Sequence, residues 1–259
     1  MFCLCSTFSL VSCKKETSNT SHQINTTSST STTTTKSGYG ESIKDADGNI
    51  YKTIYIGSQQ WMAENLKTTK YNDGTRIPNE FSTDIDTIGL WTDYLFRKTD
   101  TINRYGGSIG QYYNWYSIDK KSNGNKNVCP TGWHVPSIAE WQVLIDFLGG
   151  SQVAGGKMKL TETTLWDYPN AGATNSSLFS AVGSGRPHEL YDLDHISTYL
   201  PKTKGKYCTW WSISDIPENL NEFCQNCIST VGLSYDQVYV STNMPYSKES
   251  FLSIRCLKD

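Results

Sequence analysis

The sequence predicts an α+β domain that is loop-rich, with short antiparallel strands and one or two helices. Three observations predict it. One segment carries a complete helix with its own start and stop, another alternates with a period of two, and the remainder past residue 40 is dense in turn residues and isolated aromatics. The 259 residues include 20 Gly, 16 Tyr and 8 Trp, and only 19% are charged.

The helix is read from Ser137-Ile138-Ala139-Glu140. Ser137 caps the N–H of Glu140 while Glu140 reaches back to the N–H of Ser137, a capping box that starts the helix at about Ile138. Ile138, Trp141, Leu144, Ile145 and Leu148 then share one face at three- and four-residue spacing, an apolar stripe to be buried against a sheet. Gly149-Gly150 supplies the left-handed stop.

Before the helix, Asp47-Gly48 marks a hairpin turn. An EF-hand reading of Asp45-x-Asp47-Gly48-Asn49 fails because the Gly is not at the sixth position and Ile56 occupies the twelfth, where a Glu is needed. Ile50, Lys52, Ile54 and Ile56 alternate against Tyr51, Thr53 and Tyr55, and Gly57-Ser58 turns the chain into residues 59–63, giving a β-hairpin. Residues 82–104 carry no assignable pattern. Gly106-x-Ser108-x-Gly110 fits the nucleophile-elbow spacing, but Asn103-Arg104-Tyr105 is not the apolar strand an elbow requires. No catalytic residue is assigned. After the helix, strands are expected at 207–213, 238–240 and 251–257. Residues 186–195 gather His188, His195, Glu189, Asp192 and Asp194 at no spacing that dictates a ligand geometry, so a solvated loop is expected and no metal site.

The N-terminal part reads differently. Residues 1–12 are short and apolar, and Leu10-Val11-Ser12-Cys13 matches the lipobox of exported lipoproteins, so Cys13 is the expected lipidation site and residues 1–12 its signal segment. No positive residue precedes Phe2, which points to a true start upstream of Met1. Residues 13–40 are the expected tether. Within 17–37, 15 of 21 residues are Ser or Thr, a composition with almost nothing to bury that spans roughly 25–30 Å as a coil. The folded domain is expected over 41–259. With a net charge of −2 and a pI of about 6.1, the electrostatic footprint of nucleic-acid binding is missing.

Asp47-Gly48-Asn49-Ile50-Tyr51, Trp61-Met62-Ala63-Glu64-Asn65-Leu66, Tyr113-Asn114-Trp115-Tyr116, Cys129-Pro130-Thr131-Gly132-Trp133, Trp210-Trp211-Ser212 and Ser253-Ile254-Arg255-Cys256 together resemble the Fibrobacter succinogenes major paralogous domain, over roughly residues 43–259. Residues 153–160 resemble that family's Val-Ala-Gly-Gly-Lys segment, and its Tyr-Asn-Trp-Tyr block is expected in the core. Trp133-x-Val135-Pro136-Ser137-x-x-Glu140-Trp141 is similar, more distantly, to a signature of the sulfatase-modifying-factor family. Both resemblances imply a C-type-lectin-like fold.

The family pattern places Cys129 before the helix and Cys256 at the last strand, and the resemblance implies a disulfide between them. Cys208, Cys224 and Cys227 lie outside that pattern, and residues 217–227 look inserted. One Cys-x-x-Cys without a second pair is a weak zinc signal, and as a redox spacing it lacks a surrounding βαβ pattern, so a second disulfide from Cys208 to Cys224 or Cys227 is expected instead. The five domain cysteines are odd in number, which leaves one thiol over.

These readings imply an exported lipoprotein of the outer membrane, cell surface or periplasm, held to the membrane through its lipid. Its expected role is non-catalytic binding or adhesion to a glycan or protein ligand, with no cofactor. The calcium motif of sugar-binding C-type lectins is absent, since Pro217-Glu218-Asn219 has the wrong order. The alternative is an oxidase of the formylglycine-generating type, whose paired cysteines bind copper and for which Arg255-Cys256 is the sole remnant, or another enzyme on the same fold. Trp166 with Tyr168, and Tyr191 with Tyr199, are pairs that either line a loop surface or lie buried.

Overall fold

The computed structural model describes residues 38–79, 88–92, 109–185, 203–220, 222 and 224–259. Among the described residues the fold is mixed α+β, with antiparallel sheets and two α-helices. Strand β1 (Gly38–Lys44) begins within the last residues read as tether and pairs antiparallel with β2 (Ile50–Ile56). Asp45 closes the turn between them. Its carboxylate accepts from the N–H groups of Asp47 and Asn49 and from the Tyr51 hydroxyl, while Gly48 takes φ 88°. The two aspartates of the discarded calcium reading are thereby consumed, because Asp47 pairs with Lys70 at 3.0 Å and accepts from Thr68 and Thr69.

Gly57, at φ 61°, turns β2 into β3 (Gln59–Met62). A two-stranded sheet joins β4 (Trp91–Thr92) to β5 (Tyr112–Tyr113). Strand β6 (Trp133–His134) precedes helix α1 (Ile138–Phe147), and helix α2 (Ser151–Met158) follows directly. A meander of β7 (Tyr207–Asp215), β8 (Cys227–Ser234) and β9 (Ser241–Ser247) forms the second large sheet. Finally β10 (Leu257–Lys258) inserts between β3 and β6, completing the order β1-β2-β3-β10-β6.

Helix α1 has the capping box, with both reciprocal hydrogen bonds formed. Its expected face is buried: Trp141, Leu144 and Ile145 are fully enclosed and Leu148 nearly so. Gly149 and Gly150 take φ of 99° and 93°, and the second of them is also the N-cap of α2.

Among the described residues two large clusters, with a small third of Leu90, Tyr112 and Phe251, make up the core. One gathers α1 with Ile54, Ile56, Trp61, Met158, Trp166, Phe179, Trp210 and Leu233. The other gathers Tyr51, Met62, Tyr113, Trp115, Trp133, Trp211, Ile228, Leu252 and the pair Cys129 and Cys256. Consecutive strand residues point to opposite faces, so Trp61-Met62 and Trp210-Trp211 each feed both clusters. The Tyr113-Asn114-Trp115 block is buried, and Trp166 and Phe179 pack the intervening loops. Of the Trp166 and Tyr168 pair, Trp166 is buried and Tyr168 is 88% exposed.

Two expectations change, and one strand is new. Residues 238–240 are not a strand, because their backbone groups bond helix α2 instead of a ladder: Val238 O accepts from Gly156 N at 3.1 Å and Val240 N donates to Ser151 O at 2.8 Å. Regular pairing begins one residue later, at Ser241. Residues 251–257 are extended and wholly buried, yet only Leu257 lies in a named strand. The segment distributes its bonds among Tyr113, Thr209, Leu66 and Met62, which belong to different elements. Strand β8 carries no sequence expectation and is the centre of its sheet.

Candidate functional site

The predicted cysteine chemistry is resolved in part as expected. Cys129 and Cys256 form a disulfide, Cα atoms 6.0 Å apart, fully buried in the second core cluster. The second expected bridge is corrected: Cys224 joins Cys227, and Cys208 is a buried free thiol. The strand register gives the reason. Cys208 pairs with Leu233 near one end of the β7–β8 ladder, and Cys227 begins β8 at the other end. Six residues of strand separate them, about 20 Å at 3.3 Å per residue, far beyond the reach of a disulfide. Cys13, Ser108, Tyr191, Tyr199 and the 186–195 loop with His188 and His195 lie outside the described residues. Among the described residues, no group of three or more His, Cys, Asp or Glu is placed to hold a metal ion, and no helix is long and apolar enough to cross a membrane.

What the fold assembles around Cys208 is a buried polar hub. Asn65 Oδ1 accepts from Trp210 Nε1 at 2.8 Å and from Arg255 Nη2 and Nε at 2.7 and 3.2 Å. Its amide nitrogen donates to Ile109 O at 3.0 Å and to Ser253 Oγ at 3.4 Å. Arg255 also donates to Phe179 O, and its guanidinium carbon lies 4.3 Å from the Phe179 ring centroid and 5.5 Å from that of Trp210. Ser184 Oγ donates to Cys208 Sγ at 3.4 Å and meets Ser253 Oγ at 3.3 Å. Both Arg255 and Cys208 are enclosed.

The electrostatics follow from that enclosure. Burial lowers the Arg255 guanidinium to about 10, leaving it charged at neutral pH. Burial likewise pushes the Cys208 thiol up to about 11, against the opposing pull of Ser184 and Arg255. A thiol so placed stays protonated, and the protonated form is neither nucleophile nor metal ligand. The hub is thus an arrangement of donors around one amide oxygen.

Lys159 is a second buried cation. Its ammonium donates to the carbonyls of Ser234, the last residue of β8, and Gln237, at 3.0 and 2.8 Å, and lies 5.6 Å from the Trp166 ring. Burial lowers it to about 8, with Asp236 pulling the other way. Its folded value lies below the unfolded value near 10.4, so between about pH 8 and 10 the unfolded chain binds more protons and stability rises with pH. From urea unfolding, the gap between wild type and Lys159→Met should widen by about 1–2 kcal/mol between about pH 7.5 and 9.5. A gap that stays level would mean that Lys159 titrates as an exposed lysine.

On the surface, His134 stands between two carboxylates, Glu140 Oε1 at 3.0 Å and Asp259 Oδ1 at 2.7 Å, which ties β6 to α1 and β10. Burial works against the Glu140 carboxylate, but the N–H and hydroxyl of Ser137 and the His134 ring hold it below its usual range.

A groove of about 370 Å³ lies beside α2, lined by Val153, Gly156, Lys157, Gly172, Thr174, Ser176 and Val238. Its floor depends on the absence of side chains. A Cβ on Gly156 would come within 2.4 Å of Gly172 O, and one on Gly155 within 2.7 Å of the Val238 and Tyr239 carbonyls. The Gly-Gly pair therefore lets α2 approach two loop backbones directly, at a helix cost of about 1 kcal/mol per glycine. Thr174 N donates to Gly156 O at 2.8 Å, and Lys157 Nζ donates to Leu148 O at 2.8 Å.

The fold and its cross-links define a disulfide-stapled α+β domain organised around a buried Asn-Arg hub. A family model, the Fibrobacter succinogenes major domain, matches residues 54–258, and the chain belongs to that family. No curated protein and no solved structure matches the chain.

Proposed function

We propose that this chain is an exported, lipid-anchored binding protein of the cell surface or periplasm. In this reading Cys13 carries the lipid, residues 13–40 hold the domain off the membrane, and a C-type-lectin-like domain contacts a glycan or protein ligand without catalysis. The observation that carries it is the groove beside α2. It has the volume of a ligand site, with aliphatic walls from Val153 and Val238 and hydroxyls from Thr174 and Ser176, and the partly exposed Tyr239 is the chain neighbour of Val238.

The oxidase alternative has less support. It requires a reactive pair that includes Cys256, whereas Cys256 is joined to Cys129 and the free thiol of Cys208 is buried and held protonated.

The test uses the full chain on glycan and cell-surface-protein arrays, alongside a Val153→Asp, Val238→Asp variant. Both valines are partly exposed, so the fold should survive the change. Binding to at least one ligand class is expected, weakened about tenfold or more by two charges in an apolar groove. Equal binding by the variant would remove the groove from the reading. In the same cells Cys13→Ala should move the protein from the membrane to the soluble exported fraction. Unchanged membrane association would remove the anchor.

A further inference from the structure

The cysteines of the Cys224-Gln225-Asn226-Cys227 turn differ from the other cysteines in the described part of the chain. Cys129, Cys256 and Cys208 are fully enclosed, whereas Cys224 is half-buried and Gln225 and Asn226 are exposed. Cys227 is 8% exposed and fixed at the start of β8, opposite Ser247 of β9. The two residues of this bridge therefore differ in exposure, Cys224 half-buried and Cys227 buried, which makes Cys224 the more accessible of the two.

The bridge is also a weak staple. Its cysteines are three residues apart in sequence, against 127 for Cys129–Cys256. Constraint of the unfolded chain grows with the length of the closed loop, so this bridge contributes much less to the fold than the other.

The turn is held in place without the disulfide. Asn226 Nδ2 donates to Glu249 Oε1 at 2.5 Å, and Lys248 N donates to Asn226 O at 3.0 Å. Glu249 is itself fixed, accepting from the Tyr116 hydroxyl at 3.1 Å and from Ser247 Oγ. Opening the bridge leaves the turn docked on β9, with its two thiols still near each other.

We propose that Cys224–Cys227 is a thiol–disulfide exchange site whose co-reactant is a low-molecular-weight thiol. The thiolate attacks Cys224 Sγ. The Cys224–Cys227 bond breaks, and its electron pair leaves on Cys227 Sγ, which takes a proton from water. A second thiolate attacks the small-molecule sulfur of the mixed disulfide and releases Cys224 as a thiolate, which is protonated in turn. In sum, two thiols are oxidised to one small disulfide, and the protein bridge is reduced to two thiols. This chemistry is independent of the ligand groove.

The test incubates the folded full chain with reduced glutathione at mildly alkaline pH, followed by alkylation without denaturant and peptide mapping. Expected are a glutathione adduct on Cys224 and opening of Cys224–Cys227 about a hundredfold faster than Cys129–Cys256, with near-UV circular dichroism unchanged. An adduct on Cys227, opening of both bridges together, or no opening at all would overturn the proposal. Replacing the two cysteines one at a time gives a second measurement, read by peptide mapping at the remaining cysteine of the pair because Cys3, Cys5, Cys13 and Cys208 are also present. With an aromatic disulfide reagent, Cys227→Ser, which keeps the accessible Cys224, should react about tenfold or more faster than Cys224→Ser. Equal or reversed rates would overturn it as well.

Discussion

Replacing Cys129 and Cys256 together by alanine should lower the stability of the domain by about 4–5 kcal/mol, the largest single effect expected from the cross-links. The two residues are 127 apart, so removing their bond frees a loop that holds about half of the chain, and the gain in unfolded-state entropy grows with that length. The native state loses comparatively little. Both side chains are small, and the segments they join are held independently: Met62 N donates to Cys256 O at 3.0 Å, and Asn127 accepts from Cys129 N at 2.9 Å and donates to Trp133 O at 2.7 Å. A loss of that size is a third or more of the stability of an ordinary domain. Urea unfolding should show a lower midpoint for the double variant, and wild type unfolded and refolded under reductant should match it. A midpoint displaced by less than about 1 kcal/mol equivalent would show that the bond is incidental to stability.

The contrast with Cys224–Cys227 illustrates what sequence alone conveys. The Cys129–Cys256 pairing came from a family pattern, since nothing within a few residues of either cysteine identifies the other. The wrong expectation for Cys208 came from proximity in sequence without knowledge of strand register. Features decided within one turn of chain were legible: the capping box at Ser137 and Glu140, the double glycine stop, and the Asp47-Gly48 turn all depend on residues no more than a few positions apart. Strand β8 was not legible, because both of its faces are covered. Ser229 and Thr230 are buried beside Ile228 and Val231, with their hydroxyls satisfied by Asp215 O and Met244 O at 2.9 Å. Burial on both faces erases the period-two signal that marks a strand with one side in water. The groove was hidden for a related reason. It depends on Gly155 and Gly156 meeting backbone from residues 172 and 238–239, and the sequence shows only two glycines where a helix would ordinarily avoid them.

Asn65 and Arg255 are the extreme case, 190 residues apart, and the second large prediction concerns them. Asn65→Ala should destabilise the domain by about 3–5 kcal/mol, the range for removing one partner from a buried charge. Its single carbonyl oxygen accepts from Arg255 twice and from Trp210 Nε1. Without it a fully buried guanidinium loses all but the Phe179 carbonyl and the faces of two aromatic rings. Arg255→Met should cost less, because it removes the charge together with its need for acceptors and leaves an unbranched chain against Phe179 and Trp210. The double variant should then be less destabilised than the sum of the singles, with a coupling of about 1–3 kcal/mol. Denaturant unfolding of the four proteins gives that coupling directly. Additive losses would mean that Asn65 and Arg255 act as independent packing residues, and that the hub is only a meeting point of buried side chains.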